Sequence, residues 1–419
     1  MEGKTSEKKE RKMRDSGIPW IGEVPEGWEF SKIKYHCTMK SGDNITALDI
    51  SDNGEYPVYG GNGLRGFYKI YNKNGNHILI GRQGALAGNV HLVNGKFWAT
   101  DHAVVVTLKN DVFINYFFRM LESMNLNQYA FDTAAQPGLS VSRIMNLNIV
   151  LPNLKEQHRI ADFLDSECSE IDALIGNLRA RMESAKEYKK AAITEAVTKG
   201  LNKDAKMKDS GVEWIGKIPE SWDVIKIGHA FCLRNERNFL PEDKVQLLSL
   251  YTGIGVFPTG SENTKASGNH AQTVNGYKVV HKNDIVVNII LAWMGSIGVS
   301  NYDGVVSPAY DVYTPDLLKI VPHYAHYVFR TNGIAGECLK YGRGIMLMRW
   351  RTYSSEFKQI KIPFPSLVEQ QEIADYLDSK CAEIDVLLQN YENQIATLEE
   401  YKKSLIYEYV TGQKEVPTA

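Results

Sequence analysis

The stretch "PNLKEQHRIADFLDSECSEIDALI", Pro152 to Ile175, is written again as "PSLVEQQEIADYLDSKCAEIDVLL", Pro365 to Leu388, at an offset of 213 residues. In each copy a proline precedes Asn153 or Ser366. Glu156 or Glu369 follows three residues later, the spacing of a capping box that starts a helix. Heptads run on from there. Position a takes Ala161, Cys168, Ile175, Met182, Lys189 and Ala196, and position d takes Leu164, Ile171, Leu178, Ala185 and Ala192. The second copy places Ala374, Cys381, Leu388, Ile395, Lys402 and Tyr409 at a, with Leu377, Ile384, Tyr391, Leu398 and Leu405 at d. An apolar pattern of this length predicts a coiled-coil seam and not an isolated amphipathic helix. Cys168 and Cys381 share a heptad position and read as small core residues. Lys189 and Lys402, polar at a, read as register-setting residues.

A helix from Lys155 to Thr198 would extend roughly 65 Å. Gly200 ends it, the link "LNKDAK" follows, and a second repeated phrase begins. "MRDSGIPWIGEVPEGW", Met13 to Trp28, returns as "MKDSGVEWIGKIPESW", Met207 to Trp222; over Met13 to Ile33 the two copies share 12 of 21 residues at an offset of 194. Similar ends therefore bracket dissimilar middles, residues 35–148 and 229–361. If the second long helix pairs with the first, it must run back antiparallel, with one globular head at each end of a stiff spacer. The expected fold class is α+β: two mixed α/β heads joined by two long antiparallel helices in a coiled coil, with an internal pseudo-twofold repeat. The expected divisions are a charged tail at 1–12, a first head at 13–152 and a helix at 153–200. A linker at 201–206, a second head at 207–365, a second helix at 366–411 and a tail at 412–419 complete the chain.

Length and composition fit this scheme. The chain has 419 residues, 43% of them hydrophobic and 23% charged, enough for two cores. Its most apolar run, "IVVNIILAWM" from Ile285 to Met294, is half a membrane span and reads as a buried strand. Five cysteines without a C-x-x-C pair argue against a disulfide framework or a zinc knuckle. With no apolar leader in "MEGKTSEKKERKMR", a cytoplasmic location is expected. Net charge is −2, but Lys plus Arg against Asp plus Glu is 9 to 8 in the first middle, 14 to 10 in the second, and 4 to 10 over 366–414. Any contact with DNA is therefore to be sought in the heads, and the acidic helix reads as scaffold or protein-binding surface.

The heads carry glycine-rich loops bearing the side-chain types that read base edges or grip phosphates. In the first, "YGGNGLRGFYKIY" and "GRQGALAGNV" offer Asn62, Arg65, Arg82 and Gln83, and the "QPGLSVSR" turn offers Gln136, Ser140 and Arg143. In the second, Trp293 and Ser296 of "WMGSIG" and Arg343, Arg349 and Arg351 of "GRGIMLMRWR" are the candidates. Three enzyme signatures are decoys on their context. Gly61, Gly63 and Gly66 match G-x-G-x-x-G, but "FYKIY" follows where a helix is needed. "SPAY", Ser307 to Tyr310, is similar to the loop with which amino-methyltransferases hold a flipped base, yet no glycine-rich cofactor strand accompanies it. "PEDK", Pro241 to Lys244, lacks the acid and Glu-x-Lys arrangement of a nuclease metal site.

With the "DSGIPWIGEVPEGW" phrase, "QPGLSVSRIMNLNIVLPNLKEQHRIADFLD" and their second copies in this order, the chain strongly resembles the specificity (S) subunit of type I restriction-modification systems. The element E-Q-x-x-I-A-x-[FY]-L-D, present twice, is the most specific part of the resemblance. The resemblance implies that the variable heads are target recognition domains. Each would read one half of a split double-stranded DNA site, with the paired helices as ruler. It implies no catalysis and no metal in this chain. The partners would be two adenine N6-methyltransferase (M) subunits that bind S-adenosylmethionine, and restriction (R) translocase-nuclease subunits that use ATP and Mg. A diverged methyltransferase using "SPAY" and a two-headed adaptor for proteins or glycans are the alternatives.

Overall fold

The runs "HILIG" and "AVVVTL" are apolar at nearly every position, a pattern expected of strands covered on both faces. That is how they are used in the structure, a computed structural model that describes residues 11–84, 87–109, 111–129, 138–260, 273–345 and 350–417. Gln136 and Arg349 lie outside the described residues. The chain divides into two compact units, 1–178 with 392–419 and 179–391. The division falls inside both long helices, where the expected domains had ended at helix starts.

In the first unit, strands β1 (Cys37–Ser41), β2 (His77–Gly81), β3 (Val90–Val93) and β4 (Ala103–Leu108) form an antiparallel sheet in the order β1-β4-β2-β3. Side chains alternate across it. Ile78, Ile80, Val104 and Val106 face the main core with Tyr116, Phe117, Met120 and Leu121 of helix α1 (Ile114–Ser123). Leu79 and Val105 face the other way, onto Phe97 and Ala99 of a second four-stranded sheet. The second unit repeats the scheme with β5 (Phe231–Leu233), β6 (Ile285–Asn288), β7 (Ile297–Val299) and β8 (Tyr310–Pro315), in the order β5-β8-β6-β7. Ile285 and Val287 face one core, and Val286 and Val312 the other. Of the run "IVVNIILAWM" the first four residues are strand, as expected; Ala292–Met294 is a 3-10 turn.

Each head closes on a ribbon. Glu29–Lys32 pairs antiparallel with Asn148–Leu151, and Asp223–Lys226 with Lys361–Phe364. The strand after the two-tryptophan phrase thus lies beside the strand before the long helix, so each head is an insert entered and left at one place.

The long helices are α2 (Leu154–Lys199) and, beyond α3 (Pro322–Phe329) in the second head, α4 (Leu367–Val410). They start as the sequence predicts: the Asn153 side chain accepts from the Glu156 amide at 3.0 Å, and Ser366 Oγ from the Glu369 amide at 3.3 Å. The two glutamates are turned to other work, since Glu156 binds Arg11 and Glu369 accepts from Trp222 Nε1 at 2.9 Å. Within each unit α2 and α4 pair antiparallel. In the first, the Phe163 and Tyr409 rings lie 4.6 Å apart and Lys402 meets Asp172 at 2.7 Å. In the second, Lys189 meets Asp385 at 2.6 Å. Both lysines at a therefore bind a carboxylate of the facing helix, which fixes register as expected.

Leu164, Cys168, Ile171 and Ile175 are buried in the first core, as are Leu377, Cys381 and Ile384 in the second unit, with Met182. Burial pushes the Cys168 and Cys381 thiols up, which suits inert packing groups. Leu178, Leu388, Tyr391 and Ile395 are only half-buried. The deeply buried positions pack into the head cores, a covering that the heptad rule does not encode.

The most specific repeated residues are spent inside the units. Gln157 accepts from the Phe113 amide and donates to the Pro152 carbonyl, both at 2.9 Å. Its counterpart Gln370 accepts from the Val321 amide at 2.8 Å and donates to the carbonyls of Lys319 and Pro365 at 3.0 Å. Asp165 binds Asn115 and Arg119 of α1, and Asp378 binds His323 and Tyr327 of α3. Each element thus clamps its long helix to a head helix. The clamp in the second unit carries a pH-sensitive neighbour. Burial, reinforced by Arg330, lowers the His326 pKa from 6.5 to about 4, and Arg330 donates to its Nε2 at 3.0 Å. The unfolded chain takes up a proton below pH 6.5 that the folded chain refuses down to about 4. Stability contributed by the neutral ring is therefore present above pH 6.5 and is lost as pH falls through that window, by up to about 3 kcal/mol. Urea unfolding at pH 7 and pH 4.5 should show a steeper loss in the native chain than in His326→Gln; equal slopes would contradict this assignment.

Candidate nucleic-acid interface

In the first head, three loops that the sequence singles out come together. Strands Tyr56–Gly60 and Gly63–Tyr68 form a hairpin whose two-residue turn holds Asn62, with Gly63 at φ +94°. That left-handed conformation favours glycine and turns the chain tightly enough to present Asn62 at the tip. The Asn62 side chain accepts from Asn89 Nδ2 at 3.2 Å. The loop leaving β2 carries Arg82 and Gln83, and it is bonded to the turn at 138–140: Gln83 bridges Gly138, and the Leu139 amide donates to the Arg82 carbonyl at 2.9 Å. Asn62, Arg65, Arg82 and Gln83 are all exposed. Arg82 Nη1 donates to Ser41 Oγ at 3.3 Å at the end of β1, a weak contact that leaves the guanidinium other donors. Ser140 is half-buried and shares a hydrogen bond with Ser142 at 3.0 Å; Arg143 is exposed, with its guanidinium 5.6 Å from the Tyr129 ring centroid.

Sequence reasoning missed three further residues at this end. Asn89 orients Asn62. His91 lies under Gly63, where an added Cβ would sit 3.5 Å from its ring, and burial lowers its pKa. His102 accepts at its carbonyl from the Arg82 amide at 2.9 Å while its ring stays exposed. Asparagine and histidine are common in turns, so none of them stands out before the loops are brought together. The arrangement joins the loops that carry these amide and guanidinium groups, the chemistry that pairs with adenine and guanine edges.

In the second head, the structure reassigns two candidates. Ser296 is 1% exposed, and Trp293 packs against the core with its indole nitrogen buried. The turn Ala292–Met294 folds them inward, so neither offers a polar atom to a base. Arg343 and Arg351 are exposed and their backbones form a two-way bridge, 2.9 Å in each direction. Arg343 binds Glu356, which makes it partly structural. Gly63 opens a strand and not a helix. Ser307 Oγ accepts from the Ala309 amide at 3.4 Å, closing a turn into β8.

Comparison with known proteins gives one consistent picture. The family model for the type I restriction modification DNA specificity domain matches twice, over residues 25–183 and 219–397. The EcoprrI type I restriction enzyme specificity subunit of Escherichia coli is 47% identical over 131 residues, a match spanning 30% of this chain and 32% of that relative. The MjaVIII specificity subunit of Methanocaldococcus jannaschii is 26% identical over 434 residues, covering 94% of both chains. Among solved structures, a chain from work on complex assembly and conformational transition of the type I R-M system superposes with a TM-score of 0.63 at 14% identity, over 93% of this chain and 99% of that one. Among the described residues no helix is long and apolar enough to cross a membrane.

Proposed function

The chain belongs to the type I restriction-modification DNA specificity family, and from that premise we propose that it reads a split DNA target, one half per head, without catalysis of its own. The observation that carries the reading is the ribbon at the base of each head. Two unlike inserts sit on two like frames, and the polar loops of the first converge at one end. Like frames suit two copies of one partner, here the methyltransferase subunits, which would supply S-adenosylmethionine and the transfer chemistry. Translocase-nuclease subunits would join through that complex and bring ATP and Mg. With the EQ and LD positions engaged inside each unit, docking falls to the exposed faces of the repeated segments.

Exchanging residues 35–148 for the corresponding head of another family member tests this directly. The assembled methyltransferase complex should methylate a sequence altered in one half only, with the other half and the spacing retained. Methylated adenines mapped across a genome report it. Alteration of both halves would refute the assignment of one head to one half.

A further inference from the structure

The loop that leaves β5 holds an aromatic ring in water on a backbone that is bonded on every side. Asn238 is 4% exposed; its side chain donates to the carbonyls of Leu240 at 2.9 Å and Val274 at 3.1 Å, and accepts from the Leu240 amide at 3.0 Å. Its backbone pairs with Tyr277 and Gly276, both at 2.8 Å. Between these anchors Phe239 is 80% exposed, and Leu240 beside it is 55% exposed. Scattered exposed apolar residues are ordinary on a protein surface. A ring held outward by a fully satisfied Asn turn is different, because the segment is ordered to present it.

Two further observations bear on the occupant. Phe239 and Leu240 border a groove of about 550 Å³ that also carries Arg237, Lys244, Gln246 and His281. Among the described residues no carboxylate is paired with Arg237 or Lys244; Arg237 donates to the Gly276 carbonyl at 3.2 Å, Glu236 is engaged by Arg234 and Asp303 by His281, and Glu242 and Asp243 beside Lys244 are exposed. The first head also exposes an apolar side chain at the same place in its sheet. In the loop leaving edge strand β1, the turn Ala47–Asp49 carries Leu48 at 98% exposure. Thr46 Oγ1 donates to Asp49 at 2.6 Å and holds that turn.

We propose that Phe239 is an apolar wedge that presses against a base step of the half-site read by the second head, with Arg237 and Lys244 on the flanking phosphates and Leu48 as its counterpart in the first head. The inference rests on the DNA-reading function above. A duplex offers what the groove lacks: phosphates for two cations that have no carboxylate partner among the described residues, and base faces or thymine methyls for an aromatic edge. A protein partner shared by both units would use the repeated segments, and the wedge lies in the part that differs.

The test uses the full chain assembled with its methyltransferase subunits and duplexes carrying 2-aminopurine at successive positions of the second half-site. The native complex should raise emission at one step, where stacking is disturbed. Phe239→Ala should lose that rise and bind the target about tenfold more weakly or worse, with protection of the first half unchanged. Phe239→Leu should retain most of the affinity. Since the ring faces water, the thermal midpoint of Phe239→Ala should match the native chain. Unchanged binding and emission in Phe239→Ala would overturn the wedge and leave the bipartite reading standing. Failure of Phe239→Ala to assemble would make the residue a protein contact and also overturn it. A native complex that protects no two-part sequence would remove the reading and the wedge together.

Discussion

Trp222→Ala is expected to destabilise the second unit by about 3–5 kcal/mol, the range for removing a buried aromatic. Trp222 is fully buried, donates through Nε1 to Glu369 at 2.9 Å, and lies against Gly200 at the end of α2, where an added Cβ would sit 3.1 Å from the ring. The phrase that holds it is therefore the socket for the end of one long helix and, through Glu369, for the start of the other. Trp28 plays the matching part at the end of α4. An added Cβ on Gly412 would come within 2.9 Å of its ring and 2.6 Å of Pro25, at a φ of +74° that already favours glycine. Among the described residues its indole nitrogen has no hydrogen-bond partner, so Trp28→Ala should cost the cavity and the contact with the Arg11 guanidinium but no hydrogen bond. Trp222→Phe separates the contributions, keeping most of the packing and losing about 1 kcal/mol with the hydrogen bond. Urea unfolding of the full chain measures all three. A Trp222→Ala midpoint within error of the native one would disprove the socket.

That pair of sockets shows what was legible in the sequence. Repetition of a sixteen-residue phrase and a heptad pattern was enough to place the helices, their starts and their antiparallel pairing within each unit, because each depends on local spacing. The shared topology of the heads was not legible. "HILIG" and "IVVN" are both buried on two faces, and any apolar residue meets that need, so the sequences diverge while the sheet order stays the same. Site residues divide in the same way. Arg82 and Gln83 sit beside a glycine in a loop, where exposure follows from local chemistry, and they are exposed. Ser296 sits beside a glycine too, yet Ala292 and Trp293 draw that turn into the core. Phe239 carries no signal of its own in the sequence, and its exposure emerges only once its loop is placed.

The clamp formed by the E-Q-x-x-I-A-x-[FY]-L-D element yields the second large effect. Gln370→Leu nearly conserves volume in a site that is 0% exposed, so packing changes little. Three bonded groups lose their partner at once: the Val321 amide and the carbonyls of Lys319 and Pro365. An unsatisfied buried group costs about 1–3 kcal/mol, and carbonyls at the margin recover part of theirs from water, so a total of about 3–5 kcal/mol is expected. Gln157→Leu strands only the Phe113 amide and the Pro152 carbonyl, and it should cost less in the first unit. Val321 is the residue from which α3 starts, so hydrogen exchange at its amide should accelerate in Gln370→Leu well before global unfolding. If the two variants proved equally mild, within about 0.5 kcal/mol of the native chain, the clamp would be decorative and the repeated glutamine would need an external partner. The expected result places the most recognisable residues of the chain in the joint between helix and head, where a loosened helix start shifts the base of the head.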